Sequence, residues 1–152
     1  MQGVESCVAF ANALPPNKVA TYLVPYVKKY AEDKSWRLRY LVADKIMELA
    51  TGLGPDNARD KLLPHFMDFL ADSESEVRTA AVGRVGDFAR IFDADTVVAK
   101  ICPAFNKLAS DNFQYVRGAL AENILAVCPL IGKSATNEHI LPVFLQLLRD
   151  ES

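Results

Sequence analysis

The sequence predicts an all-α protein in which antiparallel two-helix repeats stack into an α-α superhelix, a solenoid with a period of 39 residues. The first observation is a set of prolines spaced by that interval: Pro25, Pro64, Pro103 and Pro142. The second is that aspartates and apolar–arginine pairs keep the same interval, and the third is that apolar side chains recur at helical spacing, without strand-like alternation. A two-helix unit cannot bury its apolar face alone, so we expect neighbouring units to stack.

The first helices of the repeats, called A helices here, are the segments that contain the prolines. We predict them near residues 18–31, 57–71, 96–109 and 136–149. A proline some seven residues into a helix removes one backbone hydrogen bond, so we expect a bend at the same place in each A helix.

The second helices, called B helices, follow an aspartate that is in phase with the repeat and begin with an apolar–arginine pair. We predict them near residues 3–14, 35–53, 75–92 and 114–131. The first belongs to this class because subtracting 39 places Cys7 under Ile46 and Phe10 under Leu49. The chain is then a single array of residues 1–15, 16–54, 55–93, 94–132 and 133–152, and we expect it to be part of a longer solenoid.

The connections differ in length and chemistry. The A-to-B turn is tight, and its aspartate can accept hydrogen bonds from unpaired backbone N–H groups at the next helix start. The B-to-A connection carries helix breakers and polar residues, as in residues 52–56, 93–95 and 132–137. Because half-repeats stand at both termini, we expect apolar side chains to be exposed there and isolated preparations to dimerise or fray; these are Phe10, Leu14, Phe144 and Leu148.

Composition limits the function classes. The chain has 152 residues, 51% hydrophobic and 24% charged, with a net charge of −2, so it offers no basic field for nucleic acid or anionic lipid. Its three cysteines lack paired spacing and are expected to be reduced. The strongly apolar stretch 124–131 is too short to span a bilayer, and the start lacks a secretory pattern, so we expect a cytoplasmic or nuclear protein.

The sequence resembles HEAT repeats over the entire chain. This resemblance rests on the period, the A-helix proline, the aspartate in the turn and the apolar–arginine pair. The unbroken 39-residue period is similar to that of the scaffolding A (65 kDa regulatory) subunits of protein phosphatase 2A. Three strings resemble segments in the middle repeats of those scaffolds: AEDKSWRLRYLVADK at 31–45, EVRTAA at 76–81 and HILPVFLQLLRDE at 139–151.

This resemblance implies a non-catalytic scaffold that docks other proteins on the ridge formed by its A-to-B turns. The implied partners are a B-type phosphatase regulatory subunit on this segment and a catalytic subunit on repeats outside it. The turns comprise residues 33–37, 72–76, 111–115 and 150–152, and the candidate contact residues are Asp33, Lys34, Ser35, Trp36, Arg37, Glu74, Ser75, Glu76, Phe113, Gln114 and Tyr115.

Single residues in these turns have competing interpretations. Trp36, flanked by Lys34 and Arg37, is expected to be partly exposed as a contact residue, although packing on the next turn is the alternative. Phe113 and Tyr115 carry the same two interpretations. The acidic cluster Asp72, Glu74 and Glu76 either attracts a basic partner or simply complements a helix N-terminus. We interpret another set as a structural charge ladder with bidentate bonds between turns: Arg39, Arg78 and Arg117 with Asp33, Asp72 and Asp111.

Other function classes remain as alternatives. A HEAT transport receptor of the importin type, or another HEAT adaptor, would grip its cargo on the B-helix face. A HEAT-type metal hydroxylase is disfavoured, because His65 and His139 lie in different A helices and no spacing in the sequence suits a metal. The sequence shows no phosphate loop and no nucleophile motif, so we predict no enzyme activity, no cofactor and no small-molecule substrate.

Overall fold

The computed structural model describes residues 2–150, and every regular element in that range is a helix. The prediction of an all-α protein is therefore confirmed. The chain divides into two compact units, residues 1–81 and 82–152.

The first unit begins with α1 (Gln2–Ala13) and α2 (Pro16–Ala31). A B helix follows in two parts, α3 (Trp36–Asp44) and α4 (Ile46–Leu53). The next A helix consists of α5 (Pro55–Asn57), a π-helical turn (Ala58–Leu62) and α6 (Leu63–Leu70), after which α7 (Ser75–Gly83) begins. Within this unit α1 packs against α2 and α4, and α2 packs against α3 and α4.

The second unit continues with α8 (Val85–Ala89). Its A helix consists of α9 (Ala94–Thr96), a π-helical turn (Val97–Ile101) and α10 (Cys102–Leu108), and its B helix runs through α11 (Gln114–Asn123), a 3-10 turn (Ile124–Val127) and the start of α12 (Cys128–Ala135). A further A helix follows as a π-helical turn (Thr136–Ile140) and α13 (Leu141–Leu148). Here α10 packs against α11, and α11 packs against α13.

Three of the four A-helix prolines lie next to a local change of helix type. In three repeats the π-helical turn comes directly before the residue preceding proline, and that residue's N–H bonds a carbonyl five residues back, as Leu63 does to Ala58. A proline ring clashes with the carbonyl four residues back, so a wider turn accommodates Pro64, Pro103 and Pro142 inside a continuous helix. Pro25 lies within α2 without such a turn.

The corner from each B helix to the next A helix recurs at one repeat position. Gly54 and Gly132 both have φ 85°, with ψ of 161° and 171°. Asp93 occupies the same position with φ −73° and ψ 164°, and its Oδ1 accepts a 2.9 Å hydrogen bond from the Thr96 N–H. The chain thus turns through an extended ψ at each corner, with glycine where φ is positive.

The B helices carry an interruption that we did not predict. It falls at Lys45, Arg84 and Asn123, which are spaced by one period and have φ between −98° and −111°. The core includes two repeated apolar positions that directly follow the interruption. Those positions are Ile46, Val85 and Ile124, then Leu49, Phe88 and Val127, all buried.

Candidate functional site

The A-to-B turns are shaped by their aspartates. In the first turn the Asp33 Oδ1 accepts a 2.8 Å hydrogen bond from the Ser35 N–H. Asp72 and Asp111 make the same bond two residues onward, to the N–H groups of Glu74 at 2.9 Å and Phe113 at 3.0 Å. Each aspartate thereby folds its turn locally, as asparagine and aspartate side chains commonly do.

Arg39 ties the first turn to the second. Its Nε and Nη2 donate to both carboxylate oxygens of Asp72 at 2.8 and 3.0 Å, while Nη1 donates to the backbone carbonyl of Asp33 at 2.8 Å. The two side chains are 16% and 8% exposed. The hydrogen bond to Asp72 outweighs burial and raises the pKa of Arg39 above its ordinary value.

The same geometry recurs at the other arginines. Nη1 of Arg78 bonds the Asp72 carbonyl, and Nη1 of Arg117 bonds the Asp111 carbonyl, both at 2.6 Å. Nε of Arg117 also donates to the carboxylate of Asp150. Arg39 and Arg117 therefore pair with the aspartate carboxylate of the next turn. Of the aspartate in their own turn, they bond the backbone carbonyl. These bonds brace the turns and leave neighbouring side chains available to solvent.

The first unit presents an aromatic surface at its turns, which we call the tryptophan surface: Trp36, Arg37, Tyr40, Leu41 and Glu76. These side chains line an open pocket of about 370 Å³. The Arg37 guanidinium lies 4.8 Å from the centre of the partly buried Trp36 ring, and Tyr40 meets that ring edge-on at 6.5 Å. Our sequence reasoning missed Tyr40 and Leu41. The spacing of four residues from Trp36 to Tyr40, which places both on one helix face, is a signal that could have identified the tyrosine.

The remaining candidates of the first unit differ in accessibility. Lys34, Ser35 and Glu76 are exposed, and Asp33 and Glu74 are partly buried. Ser75, the first residue of α7, is only 6% exposed, and its hydroxyl lies 3.3 Å from the Glu76 carboxylate. A side chain so buried does not reach a partner, so we remove Ser75 from the contact residues.

The second unit carries a separate surface, which we call the tyrosine surface: Phe113, Gln114 and Tyr115. The two aromatic side chains are exposed, with ring centroids 5.5 Å apart. Gln114 and Tyr115 also line a cavity of about 340 Å³ that extends to Leu147 and Asp150. Glu151 and Ser152, which complete the last predicted turn, lie outside the described residues.

Ionisable groups away from the turns have the environment of a packed core. Burial, with a smaller contribution from Cys128, raises the pKa of Cys102 to about 11, and burial also raises the pKa of Cys7. Burial lowers the pKa of His65. In residues 2–150 no three histidine, cysteine or acidic side chains come together as a metal-binding group.

Helices in the described part of the chain are all too short or too polar to cross a membrane. No curated protein sequence matches the chain significantly. A family model for the PPP2R1A-like HEAT repeat matches residues 55–132, just over half of the chain. With the helical repeats and braced turns described above, this match shows that the chain is a helical-repeat solenoid scaffold that belongs to the PPP2R1A-like HEAT repeat family.

Proposed function

We propose that the chain is a non-catalytic scaffold for a serine/threonine protein phosphatase of the 2A type. In this proposal it supplies middle repeats whose turns bind a B-type regulatory subunit, while the catalytic subunit binds repeats outside this segment. The family match supports a scaffold, and the resemblance of residues 31–45 and 76–81 to phosphatase scaffolds supports this partner.

The observation that carries the proposal is the separation of structural and accessible side chains within the turns. Aspartate and arginine side chains are engaged in bracing the turns, as Arg39 and Asp72 show. Trp36 and Arg37 beside them are held together by a cation–π contact and take no part in that bracing. Tryptophan and arginine in a preformed, partly exposed position are typical interface anchors.

Absence of catalysis is part of this proposal. Carboxylates are distributed along the chain by the repeat, and the family is built from scaffold repeats. The purified chain should therefore release no phosphate from a phosphopeptide unless a catalytic subunit is added. Turnover that persists after repurification would contradict this part of the proposal.

The direct test is the affinity of the purified chain for a purified B-type regulatory subunit, measured by calorimetry. We expect Arg37→Glu to weaken binding about tenfold or more, because it reverses a charge at the centre of the tryptophan surface. Trp36→Ala should have a similar or larger effect. Arg59→Glu is the matched control, since Arg59 is also exposed and lies in a π-helical turn away from the tryptophan surface.

Two outcomes would overturn this assignment. Equal binding by the parent, Arg37→Glu and Arg59→Glu would remove the tryptophan surface from the interface. Binding of a transport GTPase, with none of a regulatory subunit, would move the chain to the class of transport receptors. Circular dichroism of each variant separates loss of contact from loss of folding.

A further inference from the structure

Two exposed side chains of opposite charge line the pocket of the tryptophan surface. Arg37 lies near the start of α3 and Glu76 near the start of α7, 39 residues later, so they hold the same position in successive repeats. Within the described part of the chain neither side chain forms an ion pair: Arg37 lies over the Trp36 ring, and Glu76 lies beside the Ser75 hydroxyl. The pocket therefore offers one positive and one negative group to a partner.

The Arg37 guanidinium is held in place without using its capacity to bind an anion. It lies 4.8 Å from the centre of the Trp36 ring, and Tyr40 meets the same ring edge-on at 6.5 Å. A guanidinium over a ring keeps N–H donors at its edge, and a carboxylate can accept two of them at once. The positive side of the pocket is thus prepared for a carboxylate.

The part of the pocket between the charges is apolar. Trp36 and Leu41 line it and are both partly buried, so each is anchored in the molecule and still presents a surface to the pocket. A volume of about 370 Å³ is near the lower end for binding pockets, which suits one apolar side chain better than a large ligand.

A structural ion pair holds the positive and the negative side of the pocket in register. Arg39, two residues after Arg37, donates two hydrogen bonds to the carboxylate of Asp72, four residues before Glu76. Because this pair is mostly buried, it fixes the first turn against the second. The spacing between the Arg37 and Glu76 charges is therefore set before a partner arrives, and a partner must match it.

We propose that this pocket binds a segment in which an apolar side chain stands between a carboxylate and a basic side chain. The carboxylate pairs with Arg37, the apolar side chain packs on Trp36, and the basic side chain pairs with Glu76. The proposal rests on the proposed function for the identity of the partner, since the regulatory subunit would carry this segment. A segment with two carboxylates is selected against, because one of them meets Glu76 and like charges at an interface oppose binding.

The first experiment uses Trp36 as its own reporter, because it is the single tryptophan of the chain. Three five-residue peptides with blocked termini are titrated against the 152-residue chain while its tryptophan fluorescence is recorded. Their sequences are Glu-Ser-Leu-Ser-Lys, Glu-Ser-Leu-Ser-Glu and Lys-Ser-Leu-Ser-Lys, in which alternate side chains share one face of an extended peptide. The peptide with both charges should bind about threefold or more tighter than either of the others.

Charge reversal on the chain should switch this preference. Glu76→Lys makes both sides of the pocket positive, so the peptide with two glutamates should become the tightest of the three. Glu48→Lys is the matched control, because Glu48 is also an exposed glutamate near a helix start and does not line the pocket. It should keep the parent's preference. If Glu76→Lys loses helical circular dichroism, Glu76→Gln replaces it and should abolish the preference for lysine over glutamate.

The second experiment measures the affinity of a purified B-type regulatory subunit for the same variants. Glu76→Lys should weaken this binding about fivefold or more, whereas a wholly acidic partner segment predicts that it strengthens. Stronger or unchanged binding by Glu76→Lys, with weaker binding by Arg37→Glu, would overturn the present proposal and leave the phosphatase role intact. The expected order of peptides without binding of the regulatory subunit would support the pocket and remove the phosphatase role. Peptides that leave Trp36 fluorescence unchanged, or that bind equally, would overturn the pocket.

Discussion

At the scale of single residues, Arg39 connects two successive turns. It joins the backbone of one turn to the carboxylate of the next through a bidentate pair that is mostly buried. Removing only one partner of such an ion pair is costly, because the other partner keeps its charge at a site that little solvent reaches.

We therefore predict that Arg39→Ala lowers the free energy of unfolding by about 2–3 kcal/mol, since Asp72 keeps its charge but loses both guanidinium bonds. Urea denaturation with circular dichroism provides the measurement. Arg59→Ala is the control, because its 3.2 Å pair with Asp56 is exposed and should contribute less than about 0.5 kcal/mol. Equal losses in the two variants would show that the pair with Asp72 does not brace the turn.

Cys102 gives a prediction about alkaline stability. Burial raises its pKa to about 11 from an unperturbed value near 9, so above pH 9 the unfolded chain loses this proton before the folded chain does. The stability that the neutral Cys102 thiol contributes is fully present below pH 9 and declines as the pH rises through 11, by about 3 kcal/mol in total.

The measurement is urea denaturation of the parent and Cys102→Ala at several pH values between 8 and 11. The difference in free energy of unfolding between the two proteins should shrink across that range, because the variant lacks the titrating thiol. A difference that stays constant with pH would show that Cys102 ionises equally in the folded and unfolded chains.

At the scale of elements, the corners and the π-helical turns set where each helix changes direction or type. Gly132 interrupts α12 with φ 85° and ψ 171°, a combination that side chains disfavour. A Cβ atom built at Gly132 meets no atom within 4 Å. The effect of a substitution there is thus a measure of backbone strain alone.

We predict that Gly132→Ala lowers the free energy of unfolding by about 1–3 kcal/mol. Gly118→Ala is the matched control, because Gly118 lies within α11 and its added Cβ also meets nothing within 4 Å. There alanine should raise the free energy of unfolding by about 0.5–1 kcal/mol through helix propensity. Opposite signs in thermal or urea denaturation support the corner assignment, and a stabilised Gly132→Ala would refute it.

At the scale of the whole molecule, the proposed phosphatase role uses the turns that carry the tryptophan and tyrosine surfaces. The net charge of −2 adds little long-range attraction or repulsion toward a partner, so the charged side chains near the turns decide the electrostatic part of binding.

Salt should therefore test the electrostatic part of the proposed binding. Raising sodium chloride from about 0.05 M to about 1 M screens charges, so binding of a regulatory subunit through Arg37 should weaken over this range. Affinity that stays constant with salt would show that the charge of Arg37 does not contribute to binding.

Much of the fold was predictable, because each repeat contains the same local pattern of proline, aspartate and apolar–arginine pair. The helices, the positions of the A-to-B turns and the buried positions such as Ile46 and Phe88 follow from that periodicity. Helical spacing and turn chemistry act over a few residues, so a single sequence contains the information.

By itself the sequence thus determined the helical class, the 39-residue repeat and the turns on which the candidate contacts lie. Only the tertiary structure decided that Arg39 pairs with Asp72, 33 residues away, and that Ser75 is buried. It also decided that wide π-helical turns accommodate three of the prolines. These features depend on how successive helices pack, and packing brings together side chains whose separation along the chain carries no local signal.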